Sequence, residues 1–174
     1  MCVGTWRAAL RTVLLSAVLV VAAACSSQVV LDHTPPQNFS LGGTWLLDPL
    51  DSDAAPKQRD LRRRGFSIAV AAQDFAVLRT RRMLIEQSSD SVGIEYDGGV
   101  YRDLSWGVRK RGLWEVNAGW QEDGQLLVLS EAPDAKARET FGLDPTGTRL
   151  VVQIEISADG QALELVRTFT RQSP

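Results

Sequence analysis

Histidine is almost missing from this 174-residue chain: the one example, His33, sits near the N-terminus. A metallohydrolase or a Ser-His-Asp enzyme needs histidine within its fold, so residues 41–174 can be neither. His33 itself falls in a polar stretch with no orienting partner and is not expected to be catalytic. Cysteine is nearly as scarce. Cys2 and Cys25 both lie in the first 25 residues, which leaves nothing beyond them for an intrachain disulfide or a CxxC pair. No glycine-rich phosphate loop or dinucleotide fingerprint occurs. An excess of basic charge is also lacking, with 19 Lys+Arg against 21 Asp+Glu, which argues against a nucleic-acid partner. No run is apolar for the roughly 20 residues that a membrane-crossing helix requires.

What apolar run there is lies at the start. Arg7 and Arg11 form a basic head, and Val13–Ala24, twelve residues broken only by Ser16, form an apolar segment that ends in small residues. That order is the form of an export signal. Its last part, Val21-Ala22-Ala23-Ala24-Cys25-Ser26-Ser27, resembles a bacterial lipobox, although Ala22 stands where that family usually has Leu. The resemblance implies cleavage before Cys25 and acylation of its thiol and new amino group, so residues 1–24 are expected to be a signal peptide and Cys25 a lipid anchor. Ordinary secretion with cleavage near Ala24 is the alternative. The serine after Cys25 resembles lipoproteins passed to the outer membrane, which implies a place in the cell envelope facing the periplasm. Without Arg7 and Arg11 the remaining chain carries 17 basic against 21 acidic residues, formally −4.

Residues 25–40 read as a lipidated N-terminus and flexible tether, polar and interrupted by Pro35-Pro36. The Asn38-Phe39-Ser40 sequon is read as accidental beside a bacterial-type leader. Residues 41–174 suffice for one domain with a sizeable core. The domain opens with Gly43-Thr44-Trp45, which resembles the Gly-x-Trp signature of lipocalins and their calycin relatives, and more broadly resembles uncharacterised envelope proteins that begin in this way. That likeness implies a β-barrel in which a late basic residue covers the tryptophan ring. Arg167 over Trp45 is expected to close the barrel, within about 6 Å of the ring.

From Met83 onward, six- to ten-residue segments rich in Val, Ile, Leu and aromatics alternate with turn signals such as Asp97-Gly98-Gly99, Asp123-Gly124 and Asp159-Gly160. Strands are predicted at 43–48, 83–88, 91–97, 100–106, 113–121, 125–132, 136–143, 148–157 and 161–171. The fold class is therefore all-β, an antiparallel up-and-down meander closing into a lipocalin-like barrel of about 8–9 strands. Propensity over 54–81 predicts one or two short helices inserted after the first strand, over an end of the barrel. Three aspartates in Asp48-Pro49-Leu50-Asp51-Ser52-Asp53 lack EF-hand spacing and are read as turn or cap residues. Alternation places Val92, Ile94 and Tyr96 on one face, and likewise Trp114, Val116, Ala118 and Trp120; Leu150, Val152, Ile154 and Ile156; and Leu163, Leu165, Arg167 and Phe169. These faces are expected to point inward.

Glu86, Glu95, Asp103, Glu115 and Glu139 are scattered over strands with no spacing that selects an acid/base pair, and they are read as the solvent face. The arginine runs at 62–64, 79–82 and 109–111 are read as a solvated surface, with anionic lipid headgroups as the second reading. No catalytic residue, metal ligand or cofactor is expected. Two functions remain. One is a small hydrophobic or amphiphilic ligand held between the strands, with Tyr96, Trp114 and Trp120 as walls and Arg102 or Arg167 as a polar contact. The other is a solid barrel that docks another envelope protein through its surface. The tryptophans could line a ligand site or simply fill the barrel, and the size of the interior cavity decides between the two functions.

Overall fold

Strand-period alternation carries the chain through ten antiparallel strands, one more than the nine predicted segments. The computed structural model describes residues 29–37 and 39–172; the leader with Arg7 and Arg11, Cys25 and Asn38 lie outside the described residues. The strands are β1 (Gly43–Leu47), β2 (Arg82–Gln87), β3 (Ser91–Tyr96), β4 (Val100–Ser105), β5 (Gly107–Arg111), β6 (Trp114–Trp120), β7 (Leu126–Ala132), β8 (Ala135–Leu143), β9 (Arg149–Ala158) and β10 (Gln161–Arg171). They form one sheet in the order β4-β3-β2-β1-β10-β9-β8-β7-β6-β5, in which β1 pairs with β10. The result is an all-β, nearly closed barrel. Its seam lies between β4 and β5, which are joined by Trp106 alone and share no ladder.

The additional strand is β5, Gly-Val-Arg-Lys-Arg. It pairs with β6, yet Val108 to Arg111 are all exposed, so the segment shows no apolar period. All four predicted inward faces are buried, and they form one core with the helices. The helical insertion after β1 consists of α1 (Gln58–Arg64), α2 (Phe66–Ala71) and a 3-10 turn at Ala76–Leu78. Only Leu61 of α1 is buried, whereas Ile68, Ala69 and Ala71 of α2 pack inward over β8, β9 and β10. Arg62 to Arg64 stay in solvent. The helices thus sit at the end of the barrel that carries the β9–β10 and β5–β6 turns.

The opposite end is covered by residues expected to be a free tether. Asp32 and Trp120 exchange backbone hydrogen bonds of 2.9 and 2.7 Å, which lays residues 31–33 against the end of β6 as a strap. Gly119 permits this, since a Cβ there would lie 2.6 Å from the Leu31 Cβ and 2.8 Å from the Asp32 carbonyl. Beneath the strap Trp120 meets Phe39 and Trp106 edge-on, at 5.2 and 5.7 Å between centroids. Trp106 Nε1 donates to the Ser89 carbonyl at 2.6 Å and so ties the seam residue to the β2–β3 turn.

Barrel closure uses a different arginine from the one expected. The guanidinium over the Trp45 ring, 4.3 Å from its centroid, belongs to Arg171. Register is the reason: β10 places Arg171 directly opposite Trp45, and Arg167, on the same face, lies four residues further along. Four residues of strand cover about 13 Å. Arg167 is buried and donates to the carbonyls of Asp53 and Thr80 at 2.8 and 3.0 Å; burial lowers its pKa, against attraction from Asp53. Arg171 donates to the Gly147, Ser40 and Gly42 carbonyls, at 2.8 and 2.7 Å for the first two. Trp45 in turn donates from Nε1 to the Leu41 carbonyl at 2.8 Å. Gly43 adopts φ 128°, and a Cβ there would come within 3.2 Å of Arg171 Nη1, so both backbone and space call for glycine.

Arg171→Met removes a cation–π contact and charge-assisted hydrogen bonds to backbone, and is expected to lower stability by about 2–3 kcal/mol in urea unfolding. It should also shift the emission of the tryptophan population that contains Trp45. Arg167→Met should leave that emission unchanged.

Candidate functional site

A cavity of about 360 Å³ opens at the helical end of the barrel. Its rim consists of Asp74 from the connection after α2 and of Arg111, Gly112 and Leu113 from the β5–β6 turn; Phe75, Trp114 and Val116 form its walls, and Arg102 and Ser130 its polar floor. Leu113 stands almost fully in solvent, 85% exposed. Phe75 and Trp114 meet edge to face with centroids 5.3 Å apart, and Trp114 Nε1 donates to the Asp74 carboxylate at 2.8 Å. The hydrogen bond fixes the indole as part of the opening and satisfies its one polar atom.

The floor is built around a buried ion pair. Arg102 points inward from β4, on the same face as Leu104, and its Nη1 donates to Glu139 Oε2 of β8 at 2.5 Å. The arginine is 4% exposed and the glutamate 0%. Glu139 therefore does not lie on the solvent face, as expected from the sequence; it shares the inward face of Ala137 and Phe141. Charges buried this deeply are tolerated only when paired, because removal from water costs several kcal/mol per ion. Burial opposes the charge on Arg102, but Glu139 and then Tyr96 outweigh it and raise its pKa. The guanidinium also lies over the Phe75 ring, 5.8 Å from its centroid.

Pairing does not exhaust the polar groups. Arg102 Nε, Glu139 Oε1, the Tyr96 hydroxyl and the Ser130 hydroxyl are all buried without a hydrogen-bond partner. Buried groups of this kind are uncommon and mark places where a polar ligand group or water is accommodated. At the rim, Arg111 has its pKa lowered by burial and then by repulsion from Arg102, with Tyr96, Glu139 and Asp74 acting in the opposite sense.

Of the residues singled out from the sequence, Arg102 and Trp114 border the cavity. Tyr96 is fully inside the barrel beside Arg102 and Glu139. Trp120 is at the far end, where it fills space under the strap, and Arg167 hydrogen-bonds the β1–α1 connection, away from the cavity. Phe75, Ser130 and Asp74 were not singled out, while Glu139 and Arg111 were read as part of the solvated surface. For Glu139 a signal existed, since alternation with Ala137 and Phe141 puts it inward. Phe75 follows the helices and has no strand partner that would have pointed to it.

The sequence matches no protein-family model and no curated protein. Solved structures do resemble it. The fluorescent protein UnaG has a TM-score of 0.53 at 14% identity, covering 76% of this chain and 97% of that one. Lipid binding protein 8 of Caenorhabditis elegans gives 0.50 at 14% identity, with 75% and 94% covered. A fatty acid transporter, REP1-NXSQ, gives 0.50 at 10% identity, with 77% and 97% covered. At such identities the likeness is one of fold, and it extends over nearly the whole of each neighbour.

Burial pushes the Tyr96 phenol up to about 12 against the attraction of Arg102. A folded pKa above the ordinary 10.0 gives a stabilising contribution that is complete below pH 10 and is lost as pH rises toward 12. Tyrosinate absorbance should accordingly show one phenol that keeps its proton to about pH 12, a step absent from Tyr96→Phe.

Proposed function

We propose that this barrel is a non-catalytic carrier that takes a small hydrophobic or amphiphilic molecule through the helical end, and that a lipid on Cys25 holds it at a membrane in the cell envelope. The observation that carries the ligand reading is the cavity of about 360 Å³ with apolar walls and a polar floor, within the range of small-molecule sites and unlike a solid barrel. The fold supports the same reading, since two of its neighbours are described as a lipid binding protein and a fatty acid transporter. The anchor rests on the lipobox-like Val21–Cys25 sequence alone. Several acyl chains at about 0.8 kcal/mol per buried CH₂ would make release from the membrane negligible.

Nile red, an uncharged dye sensitive to polarity, should bind saturably with one-to-one stoichiometry. Trp114→Ala should weaken it about ten-fold, as expected for loss of an aromatic wall, with far-UV circular dichroism unchanged. Absence of saturable binding, with no small molecule co-purifying in native mass spectrometry, would leave the surface-docking function in its place. In a bacterial host, metabolic labelling with a fatty acid should mark the native chain and not Cys25→Ser; label retained on the variant would remove the anchor.

A further inference from the structure

The chemistry of the cavity floor narrows the class of ligand, on the premise that the cavity is a binding site. A free arginine inside a barrel would attract an anionic head group. Arg102 is not free: the Glu139 carboxylate, 2.5 Å away, neutralises it. The rim repeats the balance, with Arg111 and Asp74 both bordering the opening. The lining itself holds Arg102, Arg111 and Asp74, and with Glu139 behind Arg102 the two positive side chains are matched by two negative ones, so no net charge is left to compensate a buried anion. A carboxylate reaching Arg102 would also approach Glu139, and the interior would hold an uncompensated negative charge, a costly arrangement in a medium of low polarity.

The floor does offer neutral hydrogen bonding. Ser130, 2% exposed, and Arg102, 4% exposed, both border the cavity, and the Ser130 hydroxyl and Arg102 Nε have no partner. Arg102 Nε can only donate, while the Ser130 hydroxyl can donate or accept. Behind them the Tyr96 hydroxyl can donate or accept, and Glu139 Oε1 can only accept. A head group that both donates and accepts, such as a hydroxyl or an amide, satisfies this set without bringing charge. We infer that the cavity selects amphiphiles with an uncharged hydrogen-bonding head group, such as long-chain alcohols or fatty amides, and discriminates against those ending in a carboxylate.

The test compares dodecan-1-ol, dodecanamide, methyl dodecanoate and dodecanoate as competitors of Nile red on the purified protein, stripped of bound small molecules, at pH 7. Alcohol and amide are expected to bind about ten-fold or more tightly than dodecanoate, with the methyl ester between them because it accepts but cannot donate. Glu139→Gln should raise dodecanoate affinity by about ten-fold and change that of the alcohol far less, since the uncovered Arg102 charge is then available. If Glu139→Gln does not fold, the ranking of the four ligands on the native protein decides the matter. Dodecanoate binding as tightly as the alcohol overturns this selectivity and leaves the carrier function standing. Failure of Nile red and all four compounds to bind overturns the carrier function itself.

Discussion

Closure between the first and last strands is the constraint on which the barrel depends. Without the β1–β10 ladder the sheet would present two additional bare edges, and β1 to β4 would form a separate four-stranded flap. The ladder is short, with three Cα pairs, and its reinforcement comes from side chains. Arg171 covers Trp45 and ties β10 to the chain entering β1 and to the β8–β9 turn, while Gly43 leaves room for the guanidinium. The Gly-x-Trp sequence thus has a mechanical meaning here: a glycine that lets an arginine approach and a tryptophan that receives its charge. Trp45 and Arg171 are also far apart in the chain, so their contact joins its first and last strands.

The interior combines an apolar wall with a polarity that a merely stable barrel would not need. An ion pair crossing the lumen from β4 to β8 contributes less to stability than well-packed aliphatic side chains of similar volume would. Its two unpartnered atoms, Arg102 Nε and Glu139 Oε1, and the neighbouring Tyr96 and Ser130 hydroxyls add to that cost. Conflict of this kind between local packing rules and the residues present is expected where a site is built. The closed end of the same barrel is mainly aromatic, with Phe39, Trp106 and Trp120 meeting edge to face, and the unpartnered polar atom among these rings is Trp120 Nε1.

Much of the barrel was legible because its strands bury one face. Val92, Ile94 and Tyr96, or Leu150, Val152, Ile154 and Ile156, show a period of two that fixes both strand and orientation. β5 was illegible for the converse reason: a strand beside a seam, exposed along nearly its whole length, has no apolar stripe to betray it. Arg167 and Arg171 share one face of β10, and the choice between them rests on the register of β10 against β1, which no local pattern contains. Glu139 lay within reach of the alternation rule, but the general preference of carboxylates for solvent obscured it. Asp74 of the cavity's rim and Phe75 of its wall come from the connection after α2, whose docking depends on tertiary packing that the Ala-rich sequence does not specify.

The strap at residues 31–33 joins the barrel beside Trp120, whereas the opening lies beside Trp114, at the other end of β6. Six residue steps of strand separate them by about 20 Å. Whatever grips the preceding chain consequently holds the cup by its base, with its rim turned away. On the proposed function, a guest would arrive from the side opposite the point of attachment, because the strap at residues 31–33 is already fastened to the base.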